Sequence, residues 1–167
     1  MTQALLANMA AFYAVYHGPQ GLHDIASRVH GMAVSTAEAI RKGGLTVTSQ
    51  PFFDTFLVDV EDGQAQLIQR RAAELGVNVR LVDDHTVGVS FGEAITKEDA
   101  EKLLHAFGLN PSFLDHVTVP PIPTQHKRTS PYLTHPGEVC AEESGVNWDE
   151  LCTCGDFGPA TLAQLAK

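Results

Sequence analysis

Residues 45–108 decide the order of the secondary-structure elements, and they read LTVTSQPFFDTFLVDVEDGQAQLIQRRAAELGVNVRLVDDHTVGVSFGEAITKEDAEKLLHAFG. Short runs rich in valine, threonine and phenylalanine are typical of strands, whereas apolar residues that recur every three or four positions are typical of helices. The predicted strands are residues 45–48, 53–60, 77–82 and 86–90, and the predicted helices are residues 64–75 and 97–107. This order predicts an α+β domain in which helices cover one face of an antiparallel sheet.

Local signals mark the ends and the buried faces of these two helices. Thr96 followed by Asp99 has the pattern of a capping box, which satisfies backbone N–H groups at the start of a helix. Gly76 and Gly108 are typical of helix ends. The side chains expected in the core are Leu67, Ile68, Ala72 and Leu75 of the first helix, and Ala100, Leu103, Leu104 and Phe107 of the second.

Two helical segments precede the sheet, and a turn at residues 17–21 separates them because glycine and proline interrupt helices. Residues 20–42 carry one apolar stripe at helical spacing, and Gly43 and Gly44 mark its end. The stripe consists of Leu22, Ile25, Ala26, Val29, Ala33, Thr36, Ala37 and Ile40.

The opening segment, residues 3–16, has no charged side chain and is apolar on nearly every face. It is shorter than the stretch of about 20 apolar residues that crosses a membrane. A secretory signal would begin with a basic region, which this segment does not have. We therefore expect a buried apolar helix that needs protein on all sides, and a small domain with one sheet can cover only one of them.

Composition excludes several classes of function. Eleven basic residues against twenty acidic ones give a net charge of −9, which argues against binding to nucleic acid or to an anionic membrane surface. Three cysteines, an odd number, do not form a disulfide framework and favour a reducing, cytoplasmic location. No Gly-rich phosphate loop or serine nucleophile motif is found.

Composition also predicts four segments. Residues 1–19 hold the apolar helix of a larger body, 20–109 the small α+β domain, and 110–136 a proline-rich linker. Residues 137–167 form an acidic tail of different composition that contains every cysteine. Cys140, Cys152 and Cys154 lack the Cys-x-x-Cys spacing of structural zinc sites, so no metal is predicted.

Four blocks of the sequence resemble a known family: QALLANMAAFYAVYHGPQGL at residues 3–22, IASRVH at 25–30, FFDT at 52–55 and KRTSPYLTHP at 127–136. In this order and spacing they resemble the glycine decarboxylases, the P-proteins of the glycine cleavage system. The resemblance implies a fold-type-I enzyme dependent on pyridoxal phosphate and built from two related halves. Such enzymes decarboxylate glycine and transfer the aminomethyl group to the lipoyl group of the H-protein.

The resemblance also implies what this chain does not contain. Residues 1–136 match the end of the first half, including its small C-terminal-type domain, whereas the lysine that binds pyridoxal phosphate lies in the second half of the family. His126 and Lys127 imitate that lysine's context but belong to the linker block, so Lys127 is expected to be a surface cation. No cofactor is expected to bind this chain alone.

Function is therefore expected to be that of a fragment of a glycine dehydrogenase (decarboxylating), inactive in isolation. The partners would be the remainder of the P-protein and, for the whole enzyme, the lipoylated H-protein. The alternative is a non-catalytic partner subunit that docks on a separately encoded chain bearing pyridoxal phosphate. A small ligand-sensing domain is a third possibility, which fold alone cannot support.

The linker offers the only candidate site residues, at an active-site edge: Arg128, Thr129, Ser130 and His135. Hydroxyls and a guanidinium in a connector can line the entrance of a substrate or cofactor site. The alternative is that Thr129, Ser130 and the following proline only set a turn.

Overall fold

The computed structural model describes residues 2–116, 122 and 124–134, and its longest element is a helix, α1 (Thr2–Lys42). Gly18 interrupts α1 with a non-helical backbone (φ 62°, ψ 179°), immediately before Pro19. Glycine tolerates the positive φ, and proline suits the first turn of the helical segment that follows because it has no N–H to leave unpaired. The predicted turn at residues 17–21 is therefore confined to one kinked residue.

Four short strands follow α1 and form a single antiparallel sheet. They are β1 (Thr46–Val47), β2 (Thr55–Asp59), β3 (Arg80–Asp83) and β4 (Thr86–Ser90), in the spatial order β1-β2-β4-β3. The helices between and after the strands are α2 (Gln64–Glu74) and α3 (Lys97–Ala106), and two 3₁₀ turns span Pro111–His116 and Thr124–His126. The predicted α+β class and antiparallel sheet are confirmed.

All three helices contribute to one core on one face of this sheet. Phe56 pairs with Val89 and Val58 pairs with Val87 across β2 and β4, so these four buried side chains point to the same side. The helical residues in the same cluster are Ala33, Ala37 and Ile40 of α1, Ala65 and Ile68 of α2, and Leu103 and Leu104 of α3. Alanines at several of these positions let the helices approach the sheet closely.

The N-terminus of α3 has the predicted capping box. The Asp99 N–H donates to the Thr96 hydroxyl at 3.3 Å, and the Thr96 N–H donates to the Asp99 carboxylate at 3.0 Å. The carboxylate accepts from the Thr96 hydroxyl and backbone, and these bonds lower the pKa of Asp99. The predicted core residues of α3 are all buried, which confirms its apolar face.

The predicted core face of α2 is partly wrong. Ile68 and Ala72 are buried as expected, but Leu67 is 37% exposed and Leu75 is 40% exposed. Ala65 takes their place in the core. At about 100° per residue, Leu67 lies well away from the line through the buried residues, and Leu75 follows the last helical residue and caps α2.

The third predicted strand is shorter than expected, because residues 77–79 precede β3 without pairing in the ladder. No helix in the described part of the chain combines the length and apolarity that crossing a bilayer requires.

The described chain divides into two units. One comprises residues 25–127, with the sheet and its helices, and the other comprises residues 2–24 together with 128–134.

Candidate functional site

Arg128 is the best-defined of the four predicted site residues. Its Nε donates to the Ser130 carbonyl oxygen at 3.1 Å, and its Nη2 donates to the Pro131 carbonyl oxygen at 3.4 Å. The guanidinium carbon lies 5.1 Å from the centre of the Tyr132 ring, within the range of a cation–π contact. Arg128 thus donates to backbone carbonyls of the turn that, in the alternative, Thr129, Ser130 and Pro131 only set.

Thr129 and Ser130 are exposed in that turn, and the structure brings them together with Arg128. His135 lies outside the described residues. The active-site edge therefore stays a prediction.

Tyr132 joins this segment to the kink of α1. Its hydroxyl donates to the Pro19 carbonyl oxygen at 2.6 Å, although 113 positions separate the two residues in the chain. Tyr132 is half-buried, and the next residue, Leu133, has a positive φ of 53°. Arg128 and Tyr132 thus form a clasp that holds residues 128–132 against the start of the second part of α1.

The lysine chemistry of pyridoxal phosphate has a clear physical requirement. A lysine that bonds to an aldehyde cofactor is desolvated or placed beside another cation, which lowers its pKa and frees the amine. Lys127 does not meet this requirement, because its side chain is exposed and its backbone N–H closes the preceding 3₁₀ turn on Thr124 at 3.2 Å.

The remaining described lysines do not fit the cofactor either. Lys42 and Lys97 are exposed. Lys102 lies with its Nζ 3.1 Å from the Glu98 carboxylate, and that hydrogen-bonded carboxylate raises the pKa of the amine, which keeps it protonated. The described residues therefore provide no amine suited to pyridoxal phosphate.

Among the described residues, no group of three or more His, Cys, Asp or Glu side chains is arranged to hold a metal ion. Cys140, Cys152 and Cys154 lie outside the described residues. His85 comes within 3.5 Å of Asp83 and 3.9 Å of Asp62 in the exposed turn between β3 and β4. The His85 backbone N–H donates to Asp83 at 3.0 Å and lowers the pKa of that carboxyl.

His30 is a residue whose role the sequence did not predict. Its Nδ1 lies 2.7 Å from the Phe53 carbonyl oxygen, and its ring stacks on the Phe53 ring at 5.2 Å with an interplanar angle of 9°. A carbonyl oxygen can only accept, so Nδ1 of His30 donates in this hydrogen bond. His30 is 9% exposed, and the signal for its burial was its position beside Val29 in the apolar stripe.

The least covered surface lies at the start of α1. Six large apolar side chains, each between 40% and 62% exposed, form what we call the N-terminal apolar face: Leu5, Leu6, Met9, Phe12, Tyr13 and Tyr16. Four of them line an open hollow of about 440 Å³: Met9, Phe12, Tyr13 and Tyr16. The described residues leave these six side chains exposed.

A second cavity of about 340 Å³ lies where β3 and β4 separate, between residues 76–79, the end of β4 and the start of α3. Asn78 and Ser90 contribute polar groups to its largely apolar wall. The Asp99 carboxylate, also in the wall, is already engaged by the capping box.

Comparison with known proteins agrees with the expected resemblance. The sequence pattern of the family described as "Glycine cleavage system P-protein" matches residues 1–107. The chain is 46% identical over 140 residues to "Glycine dehydrogenase (decarboxylating), mitochondrial" of Pisum sativum, and 43% identical over 134 residues to "Glycine dehydrogenase (decarboxylating)" of Roseobacter denitrificans.

These alignments cover 80% of this chain but 13% and 14% of the two relatives. The family pattern spans the opening helix, the whole sheet and the helices that cover it. The chain belongs to the glycine cleavage system P-protein family.

Proposed function

We propose that this chain is a scaffold segment of a glycine-decarboxylating enzyme that depends on pyridoxal phosphate. The observation that carries the proposal is the family match over residues 1–107, which includes all three helices and the whole sheet. The relatives in which this segment occurs are named glycine dehydrogenase (decarboxylating). The segment would provide packing surface and a connector, and the reactive amine would come from elsewhere.

The finer architecture belongs to the same proposal. We assign residues 20–109 to the small domain of a fold-type-I transferase, because its antiparallel sheet has helices on one face only. Residues 1–19 would belong to the larger domain, 110–136 to the link between halves, and 137–167 to a divergent tail. Arg128, Thr129, Ser130 and His135 would border the active site of the whole enzyme.

The cofactor and partners follow from the family. Pyridoxal phosphate, when bound to the whole enzyme, supplies the electron sink that glycine decarboxylation requires. The lipoylated H-protein would receive the aminomethyl group. The described residues of this chain would neither bind the cofactor nor move a proton in that reaction. The odd number of cysteines supports a cytoplasmic location.

The test of this proposal is cofactor capture by the purified 167-residue chain. The chain and the full-length Roseobacter denitrificans relative are each incubated with pyridoxal phosphate, reduced with borohydride and analysed by peptide mass spectrometry. We expect a specific pyridoxyl-lysine in the relative alone. Carbon dioxide release from glycine, with lipoylated H-protein present, is measured in parallel and expected in the relative alone.

Lys127→Arg is the matched variant, since it keeps the charge of the linker and removes its amine. Stoichiometric pyridoxyl modification of Lys127 in the unaltered chain, with glycine-dependent carbon dioxide release that Lys127→Arg abolishes, would contradict the proposal.

A second candidate function, a separate non-catalytic partner subunit, is favoured by one observation, the exposed N-terminal apolar face. Both candidates require a body that covers this face.

A further inference from the structure

We propose that the cavity between residues 76–79, the end of β4 and the start of α3 binds a small neutral amide that carries a branched aliphatic side chain. A blocked amino acid such as N-acetyl-L-leucine amide belongs to this class of ligand. The site lies within the sheet-bearing unit and goes beyond the proposed function, which assigns no ligand to these residues. An unpaired stretch of the sheet binds the amide, and an apolar wall binds the side chain.

The gap in the sheet begins where pairing between β3 and β4 ends. The last pair of that ladder is Arg80 with Gly88. Two residues further along the two segments, Asn78 and Ser90 come opposite each other by the same register. In the described part of the chain no backbone hydrogen bond joins these two residues, and both line the cavity. The cavity therefore takes the place of the next pair of the ladder.

The backbone groups of Ser90 face this gap. The Phe91 N–H donates to the Asp54 carbonyl oxygen at 3.0 Å, so the backbone of Phe91 faces the β2 side. Neighbouring residues of an antiparallel strand direct their backbone groups to opposite sides, and the N–H and C=O of one residue point the same way. The N–H and C=O of Ser90 therefore point away from β2 and toward residue 78.

The same alternation directs the backbone of Asn78 into the gap from the other side. The Val77 N–H donates to the Ala72 carbonyl oxygen at 2.8 Å. The Val79 carbonyl oxygen accepts from Gln69 Nε2 at 3.5 Å. Residues 77 and 79 thus face α2, and residue 78 between them faces β4. An extended amino-acid residue with an amide on each side offers the donors and acceptors that such strand edges pair with.

The rest of the wall is apolar and limits the size of the ligand. Its large apolar side chains are Val77, Val79, Val89, Phe91, Ile95 and Leu103. Phe91 and Leu103 are buried, whereas Ala94 is exposed at the rim. An apolar cavity of about 150 Å³ holds benzene, so this cavity of about 340 Å³ holds about twelve non-hydrogen atoms. A blocked amino acid with a leucine-sized side chain has this size.

Charge argues against a ligand with a free carboxylate. Among the described residues that line the cavity there is no lysine, arginine or histidine, and the ionisable side chain is Asp99. The capping box with Thr96 lowers the pKa of Asp99, so this carboxyl is ionised at neutral pH and repels a second carboxylate. Lys102 lies 3.5 Å from Asp99 but is also paired with Glu98 and does not line the cavity.

The experiment follows the backbone amides of the full 167-residue chain, labelled with nitrogen-15, by NMR during titration with N-acetyl-L-leucine amide. We expect saturable shifts of the Asn78 and Ser90 resonances, with both amide protons moving downfield as they gain hydrogen bonds. N-acetylglycine amide, which has no side chain, and free L-leucine, which has a carboxylate, are titrated in the same way. Each should bind at least about tenfold more weakly than the first probe.

Two variants locate the site independently of the choice of probe. Ala94→Phe places a ring in the cavity from its exposed rim and should weaken binding of N-acetyl-L-leucine amide by at least about tenfold. Ala73→Phe is the matched control, because Ala73 is exposed on α2 and does not line the cavity. Its dissociation constant should stay within about twofold of that of the unaltered chain. Circular dichroism checks that both variants keep the fold.

Four results would overturn the inference. Slow hydrogen exchange of the Asn78 and Ser90 amides in the free chain would show that the ladder is closed. A titration without saturable shifts would remove the site. Equal affinity for N-acetylglycine amide, or tighter binding of free leucine, would contradict the class of ligand. Binding that Ala94→Phe leaves unchanged would place the probe elsewhere. The proposed function is unaffected by these results and fails separately, through cofactor capture by the chain alone.

Discussion

Gly43 lies where the chain leaves α1, and an alanine there should destabilise the sheet-bearing unit. A Cβ added at Gly43 would lie 2.4 Å from Cδ2 and 2.7 Å from Cδ1 of Leu109, well inside van der Waals contact. The Leu109 side chain is half-buried and packs against the core, so it must turn away from its present position. Overpacking of this kind costs about 1–3 kcal/mol.

A second effect of Gly43→Ala opposes this loss of unfolding free energy. Replacing glycine by alanine reduces the freedom of the unfolded chain and stabilises a protein by about 0.4–1 kcal/mol where the backbone allows it. Gly43 does not have a positive φ, so that gain applies to it. The net loss of unfolding free energy for Gly43→Ala should therefore be about 1 kcal/mol, with an upper limit of about 2.6 kcal/mol.

Gly31 is the matched control because it lies within α1 and a Cβ there would meet nothing within 4 Å. Gly31→Ala should raise the free energy of unfolding by about 0.5–1 kcal/mol, the difference in helix propensity between the two residues. Urea unfolding followed by circular dichroism gives both values, provided that the slope with denaturant stays constant.

A double substitution identifies the cause. In a Leu109→Ala background the obstructing methyl groups are gone, so Gly43→Ala should become neutral or stabilising. The coupling energy between the two positions should be about 1–3 kcal/mol. If Gly43→Ala stabilises the unaltered chain as much as Gly31→Ala does, the close approach of Leu109 to the end of α1 is refuted.

Three further predictions concern the core, the clasp and the capping box. Leu104→Ala should cost about 2–5 kcal/mol in urea unfolding, because Leu104 is fully buried, whereas Leu67→Ala should change stability by no more than about 0.5 kcal/mol. Tyr132→Phe removes the hydroxyl that donates to Pro19 and should cost the local clasp about 0.5–1.5 kcal/mol, measured as faster proteolysis of the connector without loss of sheet stability. The lowered pKa of Asp99 means that its stabilising contribution is complete above the unfolded value of about 4 and is lost as the pH falls through the lower folded value. As the pH is lowered below about 4, the urea midpoint of the unaltered chain should therefore decrease more steeply than the urea midpoint of Asp99→Asn.

The cationic side chains Arg128 and Lys102 both have partners within this chain. Arg128 directs its donors to backbone carbonyls of its own turn, and Lys102 is held protonated by Glu98. Both side chains are therefore engaged by groups of this chain.

The candidate site residues came from the family blocks rather than from geometry, and their place at an active-site edge stays a prediction. The family block at residues 127–136 contains Arg128, Thr129, Ser130 and His135, which were therefore predicted as site residues. The contacts that explain Arg128 were not accessible, because Tyr132 reaches Pro19 across 113 positions of sequence. His30 was missed for a similar reason, since its partner Phe53 lies 23 residues away.

Elements whose signals are local were predicted well. The capping box of Thr96 and Asp99, the apolar spacing of α3 and the strand at residues 86–90 each depend on neighbours within one or two turns. Backbone propensity and side-chain capping act at that range, so sequence alone determined them, as it determined the uncharged character of the opening helix.

Tertiary structure decided the remainder. The strand order β1-β2-β4-β3 and the exposure of Leu67 depend on which surfaces meet, which periodicity within one element does not specify. The same holds for the N-terminal apolar face. Its sequence predicts a helix that needs burial, but it does not specify which contacts would bury it. Burial is a property of contacts between distant segments, and within the described residues the core of the sheet is covered while the six side chains of the N-terminal apolar face stay exposed.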